Sequence, residues 1–488
     1  MIFSCPDLVI LLDYSTLDFL LVSLTFYGGV NEIGGNKILL EDKDTRIFLD
    51  FGKSFGRRAK YFEEYLNPRT SNGIVDFITM GLVPDISGVY RDDLMEMAGR
   101  KPEEPEVDGV ILSHAHSDHA DYISFLHESI PVYMGSACHL ILKALSERAT
   151  RSIEREVLDF RPRPYDIKAK PVLRKIIEFR TGDKFRIGSL EVEPIHVDHS
   201  VPGAYGFVIY TSEGPVVYTG DIRLHGTNSS MTREFVSKAK EVKPIALITE
   251  GTRISDPERE ESEDLVYSQS SKIVSESDNL VFADFNFKDV DRMRTFFRIA
   301  KETGRKFVVK INDAYFLKYL SQDPNLSVPS INDDNIIVYL PKRGSGKYDD
   351  KDYRGKDKEL LDLHNTWTAE QIAARPNKAL CAIGFYSFTA LIDMKIKSGA
   401  RYIHSASEPH NEEEEASVDR IDAWIEKFGM AKFQSHCSGH ARGRDLLNVV
   451  SEIGAKTLYP VHTEHPDLYK QVSKNVVLID EGKKYNIS

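Results

Sequence analysis

The sequence has few cysteines and no excess of positive charge, and each absence argues against a class of protein. Its four cysteines, Cys5, Cys138, Cys381 and Cys437, form no C-x-x-C pair, so they indicate neither a disulfide framework nor a thiolate zinc finger. We therefore expect a reducing, cytoplasmic environment. The formal net charge of −12 argues against a protein that coats nucleic acid by bulk attraction. A nuclease is not excluded, because a bound metal cluster attracts phosphate even to an acidic protein.

Long apolar runs are also missing, except for one interrupted stretch at the amino terminus. Asp7, Asp13 and Asp18 interrupt residues 1–23, which have no basic amino-terminal region and no clear cleavage site. We interpret residues 1–23 as an N-terminal extension of unclear role, and we expect no association with a membrane.

A chain of 488 residues is too long for one ordinary core, so we expect more than one domain. From Leu24 onward, short apolar runs alternate with glycine turns, which predicts a β-rich domain over residues 24–255. Between residues 256 and 410, helical and strand patterns alternate, which is typical of a parallel sheet. Strand-like KTLYPVH then resembles the first part again. The order predicts an α/β insert, residues 256–410, inside a host domain that continues over residues 411–488.

The segment SHAHSDHAD, residues 113–121, carries the most specific chemistry. His114, His116, Asp118 and His119 follow the predicted strand VDGVIL within six residues. A tight loop at a strand end lets such side chains converge, and imidazole with carboxylate suits zinc, with manganese as the alternative. The pattern predicts a metal site.

Three further side chains of ligand type follow later apolar runs. His199 lies in HVDHS, Asp221 in YTGD and His462 in YPVH. Each alone is consistent with an ordinary polar residue in a turn. Together with the first segment they supply seven ligands, one of them a carboxylate that can bridge, which is what two ions require.

These motifs resemble the metallo-β-lactamase superfamily, and in particular its β-CASP nucleic-acid branch. The resemblance implies an α/β protein in which a metallo-β-lactamase αββα sandwich holds an inserted α/β β-CASP domain, a parallel sheet flanked by helices. It also implies two zinc ions per chain and a supporting role for Asp50 of FLDFG. The implied ligands are His114, His116 and His199 for one ion, and Asp118, His119 and His462 for the other, with Asp221 between them.

Three more motifs of the β-CASP branch have counterparts here. ITEGT offers Glu250, CSGHA offers His440, and PVH offers His462. Glu250 and His440 are candidates for proton transfer and for contact with phosphate, and we group them with Asp118 as the predicted catalytic residues. Ser438 and Gly439, beside His440, are predicted to contact substrate.

The resemblance is closest to ribonuclease J, and it implies cleavage of single-stranded RNA by a 5′-exonuclease, an endonuclease or both. Ribonuclease J proteins usually have a GSQGE-like loop that contacts phosphate, whereas this chain has CAIGFYSFTA, which keeps only Gly384 as a predicted contact. Artemis-type DNA nucleases have an apolar residue where this chain has His462, so RNA is favoured over DNA. The resemblance also suggests a homodimer, although the sequence does not identify an interface.

Two other classes of function remain open at this point. The bare fold also hydrolyses small molecules such as thioesters, although a long insert over the metal cleft suits a polymer better. A non-catalytic RNA-binding subunit is the third reading, and it is disfavoured because no ligand is missing. The sequence leaves open the identity of the metal, the class of RNA, and the exonuclease or endonuclease mode.

Overall fold

The computed structural model describes residues 21–63, 65–148, 152–164, 170–353, 355–361, 363–396, 398–406 and 412–488. Most of the predicted N-terminal extension therefore lies outside the described residues. The first strand begins at Ser23, close to the predicted start at Leu24. Within the described residues, no helix is both long enough and apolar enough to cross a bilayer.

The first sheet has seven strands in the order β22-β1-β2-β3-β4-β5-β8. Its β22-β1-β2-β3 half is antiparallel, and its β3-β4-β5-β8 half is parallel. The strands are β1 Ser23–Phe26, β2 Lys37–Asp42, β3 Thr45–Phe51, β4 Gly109–Leu112, β5 Val132–Gly135, β8 Ile176–Phe179 and β22 Lys484–Asn486. A separate two-stranded ribbon pairs β6 Asp159–Phe160 with β7 Val172–Leu173.

The second sheet has six strands in the order β21-β13-β12-β11-β10-β9. Strands β9 to β12 form an antiparallel meander, and β13 and β21 add to it in parallel. The strands are β9 Phe185–Ile187, β10 Leu190–His196, β11 Tyr205–Tyr210, β12 Pro215–Tyr218, β13 Ala246–Thr249 and β21 Thr457–Pro460. Since β21 follows the whole insert in sequence, the two ends of the host domain meet in one sheet.

The two sheets pack face to face around one apolar core. Ile38 and Leu40 of β2 point into this core, whereas Leu39 between them points to the outer face of the sheet. Side chains of a strand alternate between faces, so the continuous apolar run of β2 indicates burial on both sides. Each buried side chain of this size contributes roughly 1.5–3 kcal/mol.

Helices cover the outer faces of both sheets. The host helices are α1 Phe55–Ala59, α2 Val75–Thr79, α3 Asp92–Met97, α4 Ser117–Ala120, α5 Ser136–Arg148, α6 Ser229–Glu241 and α13 Gly443–Ile453. Phe235 of α6 and Leu446 of α13 pack on the second sheet, and Ile141 of α5 packs on the first. The result is the predicted αββα sandwich.

The third sheet has seven strands, all parallel, in the order β17-β16-β15-β18-β14-β19-β20. The strands are β14 Val281–Asp284, β15 Lys306–Val309, β16 Ile336–Leu340, β17 Thr366–Thr368, β18 Ala379–Cys381, β19 Arg401–His404 and β20 Ala431–Gln434. The helices of this region are α7 Glu263–Ser275, α8 Val290–Glu302, α9 Ile311–Leu320, α10 Ala369–Ala373, α11 Thr389–Asp393 and α12 Glu412–Lys427. A parallel sheet with its own helices is what the alternating pattern predicts.

The limits of the inserted domain stay a prediction. The third sheet continues to Gln434, whereas the predicted insert ends at residue 410. We propose that the chain returns to the host domain between β20 and α13, at the loop that contains His440. Helix α12 and strand β20 then belong to the insert.

Candidate metal centre

The predicted ligands lie where strands of the two host sheets end. His114 and His116 follow β4 of the first sheet, and the short helix α4 carries the next two candidates. His199, Asp221 and His462 follow β10, β12 and β21 of the second sheet. These three strands run in the same direction, so their carboxyl ends share one edge of the sheet.

The first group of side chains consists of three histidines. His116 Nδ1 lies 3.1 Å from His114 Nε2 and 3.1 Å from His199 Nε2. His114 is fully buried, and His199 is nearly so. Three ring nitrogens therefore meet in a space that is closed to bulk water.

The second group contains Asp118, His119 and His462. His462 Nε2 lies 3.1 Å from Asp118 Oδ2, and His119 Nε2 lies 3.9 Å from the same oxygen. The backbone of His462 has a positive φ of 53°, which is rare for a residue with a side chain. Its N–H donates to the carbonyl of Gly29 over 2.7 Å, so the turn between β1 and β2 stabilises this conformation.

Asp221 lies between the two groups. Its Oδ2 is 3.6 Å from His114 Nε2, 3.2 Å from His119 Nε2 and 3.7 Å from His462 Nε2. The residue is 1% exposed, and neither of its carboxylate oxygens has a hydrogen-bond partner among the described residues. A buried carboxylate with no partner is costly, which indicates that a cation belongs beside it.

The hydrogen bonds behind the rings show which nitrogen of each histidine carries a proton. His199 Nδ1 lies 2.6 Å from the carbonyl oxygen of Gly439, and His119 Nδ1 lies 2.7 Å from the carboxylate of Asp50. Both oxygens can only accept, so both Nδ1 atoms donate. The Nε2 atoms of these two rings therefore point into the centre.

Two hydroxyl groups set the orientation of the remaining Nε2 ligands. Ser113 Oγ donates to Asp50 over 2.7 Å and lies 3.0 Å from His114 Nδ1. Thr252 Oγ1 donates to Glu250 over 2.6 Å and lies 2.8 Å from His462 Nδ1. Each hydroxyl proton is donated to a carboxylate, so each hydroxyl oxygen accepts a hydrogen bond from the Nδ1–H of its histidine. Support of this kind behind a ligand is typical of metal sites.

Asp50 connects several of these groups. Its carboxylate accepts hydrogen bonds from the N–H of Ser113 over 2.7 Å and from the hydroxyl of Tyr218 over 2.6 Å, besides those already described. The residue is fully buried, and its φ of 57° is in the left-handed region. A strained backbone that persists in a functional region is held by the contacts around it, here by these bonds to the carboxylate.

The centre combines neutral histidines with carboxylates that attract positive charge. Burial lowers the pKa of His114 and His116 well below the usual range and that of His199 to about 3, so these rings are neutral. Burial also opposes ionisation of Asp118, but the nearby His119 and His462 hold its pKa low. In return, Asp221 and its neighbours raise the pKa of His119 and His462 against the effect of burial. The carboxylates thus attract positive charge to the centre.

The donor set fits divalent metal ions. His114 Nε2 and His199 Nε2 both lie 3.1 Å from His116 Nδ1, and a single proton on His116 can satisfy only one of them, whereas a cation can bind all three nitrogens. Two nitrogen ligands at the usual zinc distance in tetrahedral geometry are about 3.3 Å apart, close to the spacing found. His119 Nε2 and both oxygens of Asp221 are buried without a hydrogen-bond partner within the described part of the chain. The first group together with Asp221, and the second group by itself, could each hold a metal ion.

Glu250 and His440 lie next to this centre. His440 Nδ1 is 3.0 Å from Glu250 Oε2 and 3.9 Å from Asp221 Oδ2. The other oxygen of Glu250 accepts the N–H of Ile222 over 2.7 Å. Although burial opposes it, the carboxylates of Glu250 and Asp221 raise the pKa of His440 to about 9. This raised pKa favours the cationic form of His440 beside the centre.

The predicted substrate contacts fall in two places. Gly439 lies against His199, and a Cβ atom at this position would be 2.8 Å from Ser200 Oγ. Ser438 accepts the N–H of His440 with its hydroxyl over 3.1 Å. Gly384 lies elsewhere, after the carboxyl end of β18. The backbone N–H of the next residue, Phe385, donates to Asp284 over 3.2 Å. A Cβ atom at Gly384 would be 2.0 Å from Asp284 Oδ1, so close packing explains why this position is a glycine.

Sequence reasoning missed three supporting residues, Ser113, Thr252 and Tyr218. The first two lie inside the quoted motifs, so their hydroxyl groups beside histidine or glutamate were a usable signal. Tyr218 ends a strand with no distinguishing pattern. Its role depends on Asp50 and on Asn36, which donates to its hydroxyl over 3.0 Å, and both are distant in sequence.

Comparison with known proteins agrees with the fold and with the motifs. The family model described as a Beta-lactamase superfamily domain matches residues 83–258, which include every predicted ligand except His462. The chain is 24% identical to ribonuclease J of Mycoplasma genitalium, over 90% of this chain and 67% of that protein. It is 25% identical to ribonuclease J 2 of Streptococcus pyogenes, over 92% of this chain and 70% of that protein.

A solved structure extends the comparison to the arrangement of the domains. A protein of unknown function from Enterococcus faecalis is 26% identical and superposes with a TM-score of 0.74, over 96% of this chain and 100% of that chain. The relatives thus cover the insert as well as the host domain. Residues 83–258 thus match the Beta-lactamase superfamily, and the chain as a whole is similar to proteins named ribonuclease J.

Proposed function

We propose that this protein is a metal-dependent ribonuclease that hydrolyses phosphodiester bonds of single-stranded RNA. The observation that carries the proposal is the meeting of two ligand groups at the unpartnered carboxylate of Asp221, with the Glu250–His440 pair beside them. Relatives named ribonuclease J that match nine tenths of the chain support RNA as the substrate. The inserted domain supports a polymer over a small thioester.

Two zinc ions per chain are the proposed cofactors, with manganese as the alternative. His114, His116 and His199 would hold one ion, and Asp118, His119 and His462 would hold the other, with Asp221 contributing to both. When bound, such ions neutralise the charge of a phosphodiester and make a water molecule acidic enough to attack near neutral pH.

The chain itself supplies a proton and a fixed orientation. His440 Nδ1 is engaged with Glu250, so Nε2 is the ring nitrogen available to substrate. We assign to His440 the transfer of a proton to the leaving oxygen, and to Glu250 the task of keeping the ring charged and in place. Thr252 completes the arrangement, because its hydroxyl bonds to Glu250 and also to His462.

The loop that carries Ser438 and Gly439 is the proposed contact for the scissile phosphate. It lies between the parallel sheet of the insert and helix α13 of the host, beside His199. Small residues here leave room for a phosphate against the centre. We propose cleavage in the cytoplasm, as a 5′-exonuclease, an endonuclease or both, and either a monomer or a homodimer is compatible with this assignment.

The direct test is incubation of zinc- or manganese-loaded protein with end-labelled single-stranded RNA. We expect cleavage by the natural chain and none by the His116→Ala variant, with Lys272→Ala as a control on the exposed face of α7. Absence of cleavage with either metal, or equal cleavage by His116→Ala, would refute the assignment. Parallel reactions with 5′-monophosphate, 5′-triphosphate and circular RNA separate the exonuclease and endonuclease modes.

A further inference from the structure

The loop that carries His440 is held in place through its backbone carbonyl groups. Over residues 437–440, each carbonyl oxygen accepts a hydrogen bond from a side chain of another segment. The donors are Arg292 Nη2 to Cys437 over 3.1 Å, His225 Nε2 to Ser438 over 2.8 Å, His199 Nδ1 to Gly439 over 2.6 Å and Arg253 Nη1 to His440 over 3.4 Å. The orientation of each peptide group in this loop is therefore fixed by a side chain.

His225 differs from the other three donors. His199 is a predicted metal ligand, and Arg253 and Arg292 form buried ion pairs with glutamates. His225 lies in the loop between β12 and α6, is buried, and its Nδ1 has no hydrogen-bond partner within the described residues. Burial lowers the pKa of His225 to about 4, so the neutral ring donates through Nε2 alone. The bond to Ser438 is the only one that this ring forms with the part of the chain that the structure describes.

The fixed carbonyl groups also fix the N–H groups that follow them. A planar trans peptide directs the N–H of one residue away from the carbonyl oxygen of the residue before it. Because the carbonyl of Cys437 faces Arg292, the N–H of Ser438 points away from that side chain. In the same way, the N–H of Gly439 points away from His225. Neither of these two N–H groups has an acceptor among the described residues.

The two N–H groups lie in the accessible part of the loop. Cys437 and Ala441 are fully buried, whereas the three residues between them are partly exposed. Gly439 lies against the predicted ligand His199, since a Cβ atom on Gly439 would be 3.4 Å from His199 Cε1. Neighbouring N–H groups without an acceptor can bind an anion. Phosphate is the anion that the proposed reaction brings to this loop.

We propose that His225 is a positioning residue, which keeps the N–H of Gly439 turned toward the phosphate of the substrate. The inference rests on the proposed function, which places a phosphodiester beside this loop. The ring itself does not touch the substrate, because its Nε2–H is bonded to the carbonyl of Ser438. Without that donor the carbonyl would lack its partner, and the peptide group would be free to turn toward another one. Such a turn moves the N–H of Gly439 away from the phosphate.

Two substitutions separate the hydrogen bond of His225 from the size of its ring. Glutamine keeps an N–H donor near the position of Nε2, whereas leucine is of similar size and has none. We expect His225→Leu to weaken the binding of inorganic phosphate to zinc-loaded protein roughly fivefold, the effect of one lost hydrogen bond. His225→Gln should retain most of the affinity. Isothermal titration measures the affinity without requiring cleavage, and metal analysis should find the same zinc content in all three proteins.

His139→Leu is the matched control, because it removes another histidine that forms a single short hydrogen bond, 2.7 Å to Glu178. Its phosphate affinity should equal that of the natural chain. Equal affinity in His225→Leu and the natural chain would overturn the inference, and so would an equal loss in the leucine and glutamine variants or a loss of zinc from His225→Leu.

The reaction gives a second readout. With a short RNA, His225→Leu should lower kcat/KM by a similar factor, while the pH profile of kcat keeps its shape because proton transfer stays with His440. A changed pH profile would contradict a role in positioning alone. If phosphate binding depends on His225 as expected but the natural chain cleaves no RNA, the proposed function fails while the positioning role stands.

Discussion

Two buried polar clusters of this protein differ in how their charges are balanced. In the cluster around Arg292, every nitrogen of the guanidinium group donates to Glu263, Ser405, His436 or Cys437. In the cluster around Asp221, the central carboxylate has no hydrogen-bond partner among the residues that the structure describes, and the lone pairs of neutral histidines point inward. The first cluster is complete within the chain. The second one needs a cation, and this imbalance, more than burial or polarity, marks it as the functional one.

The largest expected effect comes from removing the central charge while keeping its shape. Loss of a residue that only supports a ligand lowers activity about 10- to 100-fold. Asp221→Asn should lower the rate of RNA hydrolysis by more than this, because both ligand groups lose a carboxylate ligand. It should also reduce the shift in melting temperature that zinc causes. Initial rates and thermal unfolding with and without zinc measure both. A zinc shift equal to that of the natural chain would contradict the role of Asp221.

The complete cluster should behave in the opposite way. Arg292→Met leaves Glu263 buried without its partner, so we expect the free energy of unfolding to fall by about 3–5 kcal/mol, equally with and without zinc. Urea denaturation at two zinc concentrations measures the difference. Arg298→Met is the matched control on the same helix, because Arg298 is 62% exposed and makes surface contacts only, a pair with Glu302 and a stack on the ring of Tyr267 among the described residues. Its cost should stay below about 1 kcal/mol. If the loss of unfolding free energy in Arg292→Met depended on zinc, the two clusters would not differ as proposed.

A substitution behind the ligands should have an intermediate effect. Asp50→Asn keeps a residue that tolerates the left-handed backbone but removes the negative charge that orients His119. We expect zinc affinity to fall about 10- to 100-fold, as is usual for a supporting carboxylate. Competition with a chromophoric chelator measures the affinity. Asp44→Asn, in an exposed turn, should have no effect, and an equally small effect at Asp50 would count against its supporting role.

The smallest expected effect is at Thr252. Thr252→Val removes a hydroxyl that bonds to both Glu250 and His462 but leaves every ligand in place. A lost hydrogen bond of this kind costs about 1 kcal/mol, so we expect kcat to fall roughly fivefold with bound zinc unchanged. Steady-state kinetics with a short RNA, together with metal analysis, distinguish this result from loss of a ligand. A kcat equal to that of the natural chain would remove Thr252 from the proton-transfer arrangement.

The sequence predicted the fold class and the clustering of the ligands because both depend on local patterns. His114 to His119 follow one strand directly, and His199, Asp221 and His462 each end an apolar run, so convergence at strand ends sufficed to group them. Their role as ligands stays a prediction. The family resemblance supplied Glu250 and His440, whose contact spans 190 positions of sequence and has no local signal.

Other features have no local signal at all. Strand β20, AKFQ, is only four residues long and mostly exposed, so its pattern was too weak to predict that the sheet extends beyond residue 410. Gly384 was singled out from a loop resemblance, but its close contact with Asp284 depends on the neighbouring strands β14 and β18.

The position of β21 has a consequence for how the protein is made. The first ligand group, His114, His116 and His199 with Asp221, is synthesised before the insert. His462 is synthesised only after residues 256–434. Strand β21 must then pair with β13, which was made about two hundred residues earlier. The nascent chain therefore has an incomplete centre throughout translation of the insert. A nuclease built in this order becomes competent only after the whole insert and strand β21 have been translated.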